Sequence, residues 1–597
     1  MKKLYKPIAL ILALVVAIIS GWQMTQLDLW GYRPLFFFAG AWAFILLAIE
    51  SRFSRLKEGR SYLIWAVLSG VVLSAGFPPM PGFLFMFVGF VPLLYIEKKI
   101  SEERGMSRWE VFKFGFVAFV TWNILTTYWV ANSLFVAGLV AIVPNALLMC
   151  IPWVGFHYTR QRMGDRMGYT AFASYWILFE YIHLTWADLS WPWLTLGNSF
   201  AKFPQVVQWY EFTGAFGGTL WIMVLNLMFF HLMQKWINEG KERMSVRDYA
   251  LPGATLVVPI LVSLIIYATW QSKGESAQVA VIQPNYEPHY EKFTVPRSVQ
   301  IRKFLALAEG IVTEDTDYLV FPETSFDNIR HNDIERHPTI ESLRAYIDGY
   351  PKLKLVTGLS SYRIFEPGDI PGPTAPRIYV SAATGDTTVF EGYNSAVQMT
   401  SGDPEIPIYL KSKLVPGPEH PPLAAITRLL KPLVDALGGT MYGLGKQKER
   451  MAFMSQDGSM GVAPVICYES VYGEYVTNYV KKGATAIFII TNDGWWDNTA
   501  GHKQHMMYAS LRAIETRRSI ARSANTGISC FVNQRGDISS KTEYEIDAAI
   551  IGAIDMNTEL TFYVRYGDLI ARVAIFLSAI LLLISFTRRW LSVAKKN

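Results

Sequence analysis

Charged residues are scarce in this chain of 597 residues, and their scarcity narrows its class at once. They make up 17% of the sequence, against about 25% in ordinary soluble domains, while hydrophobic residues make up 51%. The formal net charge of +6 is small for this length and is not gathered into a basic patch. A concentrated positive surface for nucleic acid is therefore excluded, and no nucleic-acid partner is expected.

Cysteine is nearly absent too, with three in the whole chain: Cys150, Cys467 and Cys530. Three cysteines cannot form a disulfide framework. Cys150 lies inside an apolar run and Cys530 inside a predicted strand, so both are expected in the core. Cys467 ends the apolar stretch "GVAPVI" and precedes Tyr468 and Glu469. A lone cysteine after a strand is more often an inert core residue, so Cys467 becomes a candidate only in combination with others.

Several common catalytic motifs are missing. The Gly-x-Ser-x-Gly motif is absent, which argues against a serine lipase. The segment "GAFGGT" does not follow a predicted strand and is not a dinucleotide loop. His502 and His505 lie three residues apart without nearby thiols, a weak pattern for a metal site. No metal and no cofactor are expected.

Apolar runs long enough to cross a bilayer organise the chain. They lie near residues 6–22, 34–50, 62–77, 82–96, 112–131, 136–156, 170–186, 218–235 and 250–270, with a tenth near 568–587. The first run follows Lys2 and Lys3 but has no small-residue cleavage site, so it is predicted to be a retained anchor and not a signal peptide.

The short loops between these runs alternate in charge, which predicts the topology. Every second loop is rich in lysine and arginine, as in "ESRFSRLKEGR" and "HYTRQRMGDRMG", whereas the alternate connections "GWQMTQLDLWGY", "AGFPPMPG" and "VANSL" have none. Because basic loops stay in the cytoplasm, the pattern predicts a cytoplasmic N-terminus, nine spans, an external globular domain and one returning span.

Residues 277–562 have the character of a globular α/β domain. Short β-branched runs such as "AQVAVIQPN" and "ATAIFIITND" alternate with turn-rich and helical stretches, including an amphipathic pattern over 298–312. The strands suffice for two packed sheets. The fold class predicted for the whole chain is a polytopic α-helical membrane domain plus an extracytoplasmic α/β domain.

Three polar residues follow predicted strands of this domain: Glu323 after "YLVFP", Lys411 after "IPIYL" and Cys467 after "VAPVI". Strand ends face the ligand crevice of α/β sheets. Taken singly, the glutamate is typical of a turn and the lysine of a solvated charge. Together they form an acyl-transfer set, in which a thiol attacks a carbonyl, a carboxylate takes its proton and an ammonium holds the oxyanion.

Beyond these general patterns, "FPETS", "YLKSKLVPGPE" and "VICYES" resemble the three signature blocks of the nitrilase (carbon–nitrogen hydrolase) superfamily. With the flanking spans, the chain resembles the apolipoprotein N-acyltransferase family from about residue 60 to the end. "YWVANSL", "FEYIHLTW" and "SWPWLTLGNS" resemble that family's membrane half. Two departures stand out. The first two spans have no counterpart in the usual eight-span plan, and "VPGPE" replaces Val-Pro-Phe-Gly-Glu.

The resemblance implies an αββα sandwich with a Glu-Lys-Cys triad. Glu323 matches the general base, Lys411 the oxyanion-stabilising lysine and Cys467 the nucleophile. Glu419 matches a supporting glutamate, although the altered loop leaves its conformation open. Tyr468 and Glu469 match the residues after the nucleophile, and the Tyr468 backbone N–H is the expected second oxyanion donor.

The implied domains are an extra helix pair over 1–56, a membrane domain of about seven spans over 57–276, a catalytic domain over 277–562, and a terminal span with a basic tail over 563–597. The implied location is the bacterial cytoplasmic (inner) membrane, with the catalytic domain on the periplasmic side. A monomer is expected.

The implied reaction is ping-pong acyl transfer through a thioester on Cys467. The donor is a phospholipid, with phosphatidylethanolamine expected, and the acceptors are diacylglyceryl apolipoproteins. The alternatives are a membrane-tethered nitrilase or amidase that hydrolyses a small amide, and a scaffold or transporter with an inactive domain. Trp495 and Trp496 are expected to line the lipid entrance. Residues 421–438 fit either a surface helix pair or an arm over the site that touches lipid.

Overall fold

Helices form the N-terminal part of the chain, two β-sheets with their helices form the following part, and one helix closes the chain. In the computed structural model the described residues are 2–56, 58–103, 107–186, 190–292, 294–366, 369, 377–380, 387–420 and 443–594. The segment 421–438, interpreted above as an arm or a helix pair, lies outside them.

The helices are numbered here along the described chain. The N-terminal part contains α1 (Lys2–Gln26), α2 (Arg33–Ile49), α3 (Gly59–Ala75), α4 (Val91–Glu102), α5 (Arg108–Thr127), α6 (Phe135–Met163), α7 (Asp165–Thr185), α8 (Tyr210–Thr213), α9 (Ala215–Glu239) and α10 (Val246–Thr269). The later helices are α11 (Arg297–Glu309), α12 (Pro338–Ile347), α13 (Gly473–Lys481), α14 (Ala500–Thr516), α15 (Phe562–Tyr566) and α16 (Leu569–Ala594).

Six helical segments of the described chain are long and apolar enough to cross a membrane: 6–26, 108–132, 135–163, 215–239, 246–269 and 569–587. Two of them are scarcely covered by protein, since only 17% of the α1 window and 11% of the α10 window are buried. Apolar helices left this exposed need a lipid environment instead of water. The N-terminal part is therefore membrane-embedded.

Each predicted apolar run lies on helical structure, but the run 82–96 is not one helix. It is divided into a 3₁₀ turn, Phe83–Phe87, and the 12-residue helix α4. Pro92 stands in the first turn of α4, where its missing N–H is tolerated, so a new helix begins there. At 1.5 Å per residue α4 is only about 18 Å long, against about 30 Å of hydrocarbon. The count of nine spans stays a prediction.

Fourteen strands of the described chain form the two sheets. They are β1 (Glu275–Gln283), β2 (Tyr318–Val320), β3 (Phe326–Arg330), β4 (Lys354–Phe365), β5 (Arg377–Val380), β6 (Thr387–Thr400), β7 (Ile408–Leu410), β8 (Phe453–Met454), β9 (Gly461–Ile466), β10 (Ala486–Thr491), β11 (Ile520–Ala524), β12 (Cys530–Val532), β13 (Ile538–Ser539) and β14 (Ala548–Met556).

The first sheet has the order β14-β1-β2-β4-β6-β5, with β3 on β4 and β7 on β6, and the second has the order β13-β12-β11-β10-β9-β8. Strands β9, β10 and β11 run parallel, with Val465 opposite Ile489 and Ile489 opposite Arg522. Strands β1, β2 and β4 are parallel as well. Parallel strands end at one edge, so both sheets present carboxyl ends where a site can form.

Alternation along the central strands explains the layered packing. Val279, Val281 and Val320 belong to the buried cluster between the sheets, where the Tyr318 ring lies 5.2 Å from that of Phe488. Their neighbours Ala280, Ile282 and Leu319 point the other way and pack with side chains of α11 and α12. Helices α13 and α14 cover the second sheet. The result is the αββα sandwich that the resemblance implies.

Candidate active site

The three proposed catalytic side chains stand just beyond the carboxyl ends of strands. Cys467 directly follows β9, Lys411 directly follows β7, and Glu323 comes three residues after β2. The two sheets contribute from opposite sides, because β9 belongs to the second sheet while β2 and β7 belong to the first. The sandwich therefore brings together residues that are far apart in the sequence.

Lys411 is the centre of a buried ionic group. Its side chain is 1% exposed, and its Nζ lies 3.0 Å from Glu323 Oε1 and 2.8 Å from Glu419 Oε1. Asn394 Nδ2 donates to the same two carboxylates, at 2.7 Å to Glu323 and 3.0 Å to Glu419. The second oxygen of Glu323 accepts the Asn492 backbone N–H at 3.1 Å. One ammonium thus faces two carboxylates whose oxygens are held in place.

The altered loop after Lys411 still delivers Glu419 to the lysine. Glu419 Oε2 accepts the backbone N–H of Val415 at 2.8 Å, which ties the carboxylate back to its own loop. The conformation that the sequence left open is therefore one in which Glu419 faces Lys411.

Opposing effects set the pKa values of the buried ion pair. Burial alone would raise the pKa of Glu323, but the Lys411 ammonium holds it below its ordinary value. Burial would lower the pKa of Lys411, but the carboxylates of Glu323 and Glu419 raise it well above normal. Both groups are therefore charged at neutral pH, and Glu323 is able to accept a proton.

The Cys467 thiol is 7% exposed and stays protonated at rest. Burial raises its pKa, the charge of Glu323 raises it further, and Lys411 opposes the shift. Since the thiolate is the nucleophile, attack requires a base that takes the proton as the new bond forms.

The backbone of Cys467 adopts a left-handed conformation, with φ at +49°. Such a conformation costs a non-glycine residue about 1–3 kcal/mol and persists only where the surroundings enforce it. The Cys467 carbonyl accepts a hydrogen bond from Ser470 Oγ at 2.8 Å, and His505 Nε2 lies 3.1 Å from the same oxygen. Asp493 Oδ1 lies 2.9 Å from His505 Nδ1, and Arg522 Nη2 donates to Asp493 Oδ2 at 2.5 Å. This buried chain holds the turn that presents the thiol.

Glu469, two residues after Cys467, is fully buried and acts as a tether. Its carboxylate accepts the backbone N–H of Ser412 at 2.8 Å and that of Ile466 at 3.0 Å, so it joins the ends of β7 and β9. Three tyrosine hydroxyls also donate to it, from Tyr409, Tyr475 and Tyr479. Glu469 therefore fixes the spacing between the turn that carries Lys411 and the turn that carries Cys467.

Aromatic rings of the membrane domain cover the site. The Tyr468 ring lies nearly parallel to that of Trp193 with centroids 6.3 Å apart, and its hydroxyl donates to Ser190 O at 2.9 Å. Trp496 packs between Trp129, at 4.8 Å, and Trp193, at 5.5 Å. Rings from both parts of the chain thus pack together beside Tyr468, the residue after Cys467.

The two histidines of "WWDNTAGHKQH" contact different groups and do not converge on a shared metal position. His502 stacks on Tyr544 at 4.4 Å, while His505 belongs to the chain beneath Cys467. Within the described residues there is no group of three or more histidine, cysteine and acidic side chains that could hold a metal.

Sequence reasoning missed the site contacts of three side chains, of which His505 was considered only as a weak metal ligand. Asn394 bridges the two carboxylates, and His505 lies under Cys467 O. Lys292 is 5% exposed and donates to Glu323 O at 3.1 Å and to Thr324 Oγ1 at 2.6 Å. Burial lowers its pKa to about 8, against the pull of Glu323. The one local signal was a polar residue, Asn394, within the apolar strand pattern "YNSAVQM".

Two family profiles match the chain. The profile "Apolipoprotein N-acyltransferase N-terminal domain" matches residues 69–228, and the profile "Carbon-nitrogen hydrolase" matches residues 373–560. Lys411, Glu419 and Cys467 lie inside the second match, and Glu323 precedes it. The protein thus joins a carbon–nitrogen hydrolase domain of nitrilase-like fold to a membrane domain.

Curated relatives match nearly the whole chain. Apolipoprotein N-acyltransferase of Chlorobaculum tepidum is 26% identical over 91% of this chain and 99% of the relative. That of Geobacter metallireducens is 24% identical over 89% of this chain and 96% of the relative. Among solved structures, Saccharomyces cerevisiae Nit3, a nitrilase-superfamily member, matches at 14% identity and a TM-score of 0.33 over 50% of this chain and 97% of its own. The chain is thus similar to apolipoprotein N-acyltransferases over nearly its whole length.

Proposed function

We propose that this acyltransferase moves a fatty acyl chain from a phospholipid to the α-amine of the N-terminal diacylglyceryl-cysteine of apolipoproteins, the last step of lipoprotein maturation. Phosphatidylethanolamine is the expected donor, and its sn-1 chain is the one transferred. The supporting observation is the buried Glu323–Lys411 pair beside Cys467, in a chain whose curated relatives are named apolipoprotein N-acyltransferase.

In the first half-reaction the Cys467 sulfur attacks the donor's ester carbonyl while Glu323 takes the thiol proton. Lys411 and the Tyr468 backbone N–H hold the oxyanion that develops on the carbonyl. The carbon–oxygen bond then breaks, and Glu323 returns its proton to the departing glycerol oxygen. The products are a thioester on Cys467 and a lysophospholipid.

In the second half-reaction the neutral α-amine of the acceptor attacks the thioester. Glu323 accepts a proton from the amine and passes it to the leaving sulfur, so the amide forms and the thiol is restored. Glu419 shares Lys411 with Glu323, and its charge keeps the ammonium protonated throughout. The aromatic cover over Tyr468 restricts water, whose attack on the thioester would turn the enzyme into a phospholipase.

A reconstituted assay tests this function. Purified protein in vesicles receives phospholipid labelled in the sn-1 chain and a diacylglyceryl-cysteinyl peptide with a free amine. We expect the label on the peptide as an amide, and no such product with a peptide whose amine is acetylated. Release of labelled fatty acid without amide, or hydrolysis of a small amide under the same conditions, would contradict the proposal and favour a membrane-tethered amidase.

A further inference from the structure

Three basic side chains gather near the turn that carries Lys411. They are Lys413, Lys446 and Arg450, and we call them the basic cluster. Arg450 and Lys413 lie over the same ring, at 4.3 Å and 5.9 Å from the centroid of Tyr475. Lys413 Nζ also lies 4.7 Å from the centroid of Tyr472. Lys446 is exposed and acts electrostatically on Lys413. Lys413 and Arg450 therefore share one wall of aromatic rings, and Lys446 adds a third positive charge that acts on Lys413.

The basic cluster has no ion-pair partner among the described residues. The adjacent carboxylate of Glu449 pairs with Lys482 at 2.8 Å instead. Glu469 attracts Lys413, but its oxygens already accept hydrogen bonds from tyrosines and backbone N–H groups. Arg450 Nε is buried without an acceptor in this part of the chain. Like charges brought together without a counterion repel each other, so this arrangement favours a bound anion.

The cluster lies between the nucleophile and a membrane helix end. Lys413 Nζ donates to Leu184 O at 3.0 Å, at the C-terminal end of α7. At that end Trp186 is 48% exposed, as is typical of tryptophan at a membrane–water interface. On the other side the Tyr472 ring lies 5.2 Å from that of Tyr468, the residue after Cys467. An anion here would sit at interfacial depth, and the Tyr472 ring would separate it from Tyr468, the residue after Cys467.

We propose that the basic cluster binds the phosphate of the glycerophospholipid acyl donor and so holds its ester carbonyl at Cys467. The inference rests on the proposed function and assigns a binding site to one part of the donor. The phosphate is the anion that such a lipid carries a few bonds from its acyl ester, and lysine and arginine are its usual protein partners. Burial lowers the pKa of Lys413 to about 8, and Arg450 and Lys446 lower it too, so a phosphate would stabilise its charge.

The test compares two acyl donors that differ in phosphate. The variants are Lys413→Gln, Arg450→Gln and the double substitution, and the donors are a labelled glycerophospholipid in vesicles and the p-nitrophenyl ester of the same fatty acid. Each lost charge should raise KM for the phospholipid roughly tenfold, the value of one hydrogen bond to a charged group. Acylation by the phosphate-free ester should keep its rate, and Lys413→Arg should restore a KM near that of the unsubstituted protein.

Lys352→Gln is the matched control, because it also removes one lysine. Lys352 lies just before the amino end of β4, away from the strand ends that carry the site, and pairs with Asp315. It should change neither reaction. Equal losses with both donors would overturn the phosphate site and leave the cluster a structural role. Strong competition by inorganic phosphate alone would overturn it in favour of free phosphate. Failure of the unsubstituted protein to be acylated by either donor would overturn the proposed function itself.

Discussion

At the scale of single residues, the site depends on charges that are buried together. Lys411 is 1% exposed and Glu323 8%, so each charge is costly without the other. Removing one partner leaves an uncompensated buried charge, whereas a conservative change tests geometry. The most informative substitutions therefore keep charge or volume and alter only shape.

Lys411→Arg keeps the positive charge but replaces a compact ammonium by a broad guanidinium fork. In a site closed by Glu323, Glu419 and Asn394, the fork cannot direct one donor at the oxyanion. We expect transfer to fall by at least the roughly 10²–10³-fold typical of losing one oxyanion donor, with folding and membrane insertion retained. Single-turnover acylation of Cys467 measures the rate. A near-normal rate would mean that Lys411 is only a structural charge.

Gly358 on β4 has a packing role that a matched pair of variants can test. A Cβ at Gly358 would lie 2.7 Å from Glu323 Cα, whereas a Cβ at Gly392 on β6 would meet only Leu444 at 3.7 Å. Gly358→Ala should therefore displace Glu323 and lower activity at least tenfold, while Gly392→Ala should retain it, since small misplacements in an active site can cost about 10²-fold. Equal activities of the two variants would contradict the proposed role of Glu323.

Sequence reasoning could propose the candidate residues that follow recognisable strands, but not the contacts that depend on tertiary structure. Glu323, Lys411 and Cys467 each follow an apolar strand, which is visible in the sequence. Asn394 and His505 act through groups that are distant in the chain, and nothing near them indicates which carboxylate or carbonyl they meet. The close approach of Gly358 to Glu323 likewise exists only after the strands have paired.

At the scale of elements, the hairpin of α1 and α2 touches the loop that carries Trp496. The Gly31 backbone N–H, between the two helices, donates to Asp497 Oδ2 at 2.7 Å. Asn132 Nδ2 donates to both Gly31 O and Trp496 O, each at 3.1 Å. The first hairpin, which precedes both profile matches, is therefore bonded to the loop at the aromatic cover.

Asn132→Ala removes the bridge between the hairpin and this loop. Because a net hydrogen bond contributes about 0.5–1.5 kcal/mol, we expect peptides covering 493–499 to exchange their amide hydrogens several-fold faster. Ser133→Ala is the control, since Ser133 Oγ donates to Val130 O and to no other described residue. Unchanged exchange in Asn132→Ala, or the same increase in the control, would show that the bridge does not hold the loop.

Two elements show where periodicity is insufficient. The run 82–96 is apolar enough for a span, yet Pro92 starts a separate short helix within it. Strand β14, "AAIIGAIDM", pairs along the whole of β1, but alanine and glycine give it a weak strand signal in isolation. Pairing with a neighbour, which the sequence does not reveal, forms this strand.

At the scale of the whole molecule, the membrane part and the α/β part share buried hydrogen bonds. Trp193 Nε1 donates to Gln504 Oε1 at 2.6 Å, and Gln504 Nε2 donates to Pro78 O at 2.7 Å. Arg517 is 1% exposed and reaches Glu211 at 3.0 Å. The α/β part therefore packs on the membrane helices, which fits the proposed acyl transfer between lipid substrates.

The charges of the loops predict on which side of the membrane the α/β part lies. A reporter fused after residue 290 should be active only outside the cytoplasm, and one fused after residue 240 should behave as cytoplasmic, because basic loops are retained inside. Alkaline phosphatase and a cytoplasm-dependent fluorescent protein give complementary readouts. Reversal of either result would contradict the positive-inside assignment and the periplasmic site.

The covalent intermediate tests the central claim most directly. Protein incubated with labelled phospholipid and no acceptor should accumulate an acyl group that neutral hydroxylamine releases and that maps to the peptide containing Cys467. Cys467→Ala should form none. Adding a diacylglyceryl-cysteinyl peptide with a free amine should discharge the adduct and move the same chain onto that amine, while an acetylated peptide should leave it in place. An adduct that never forms, that maps to Cys150 or Cys530, or that only water discharges would contradict acyl transfer through Cys467.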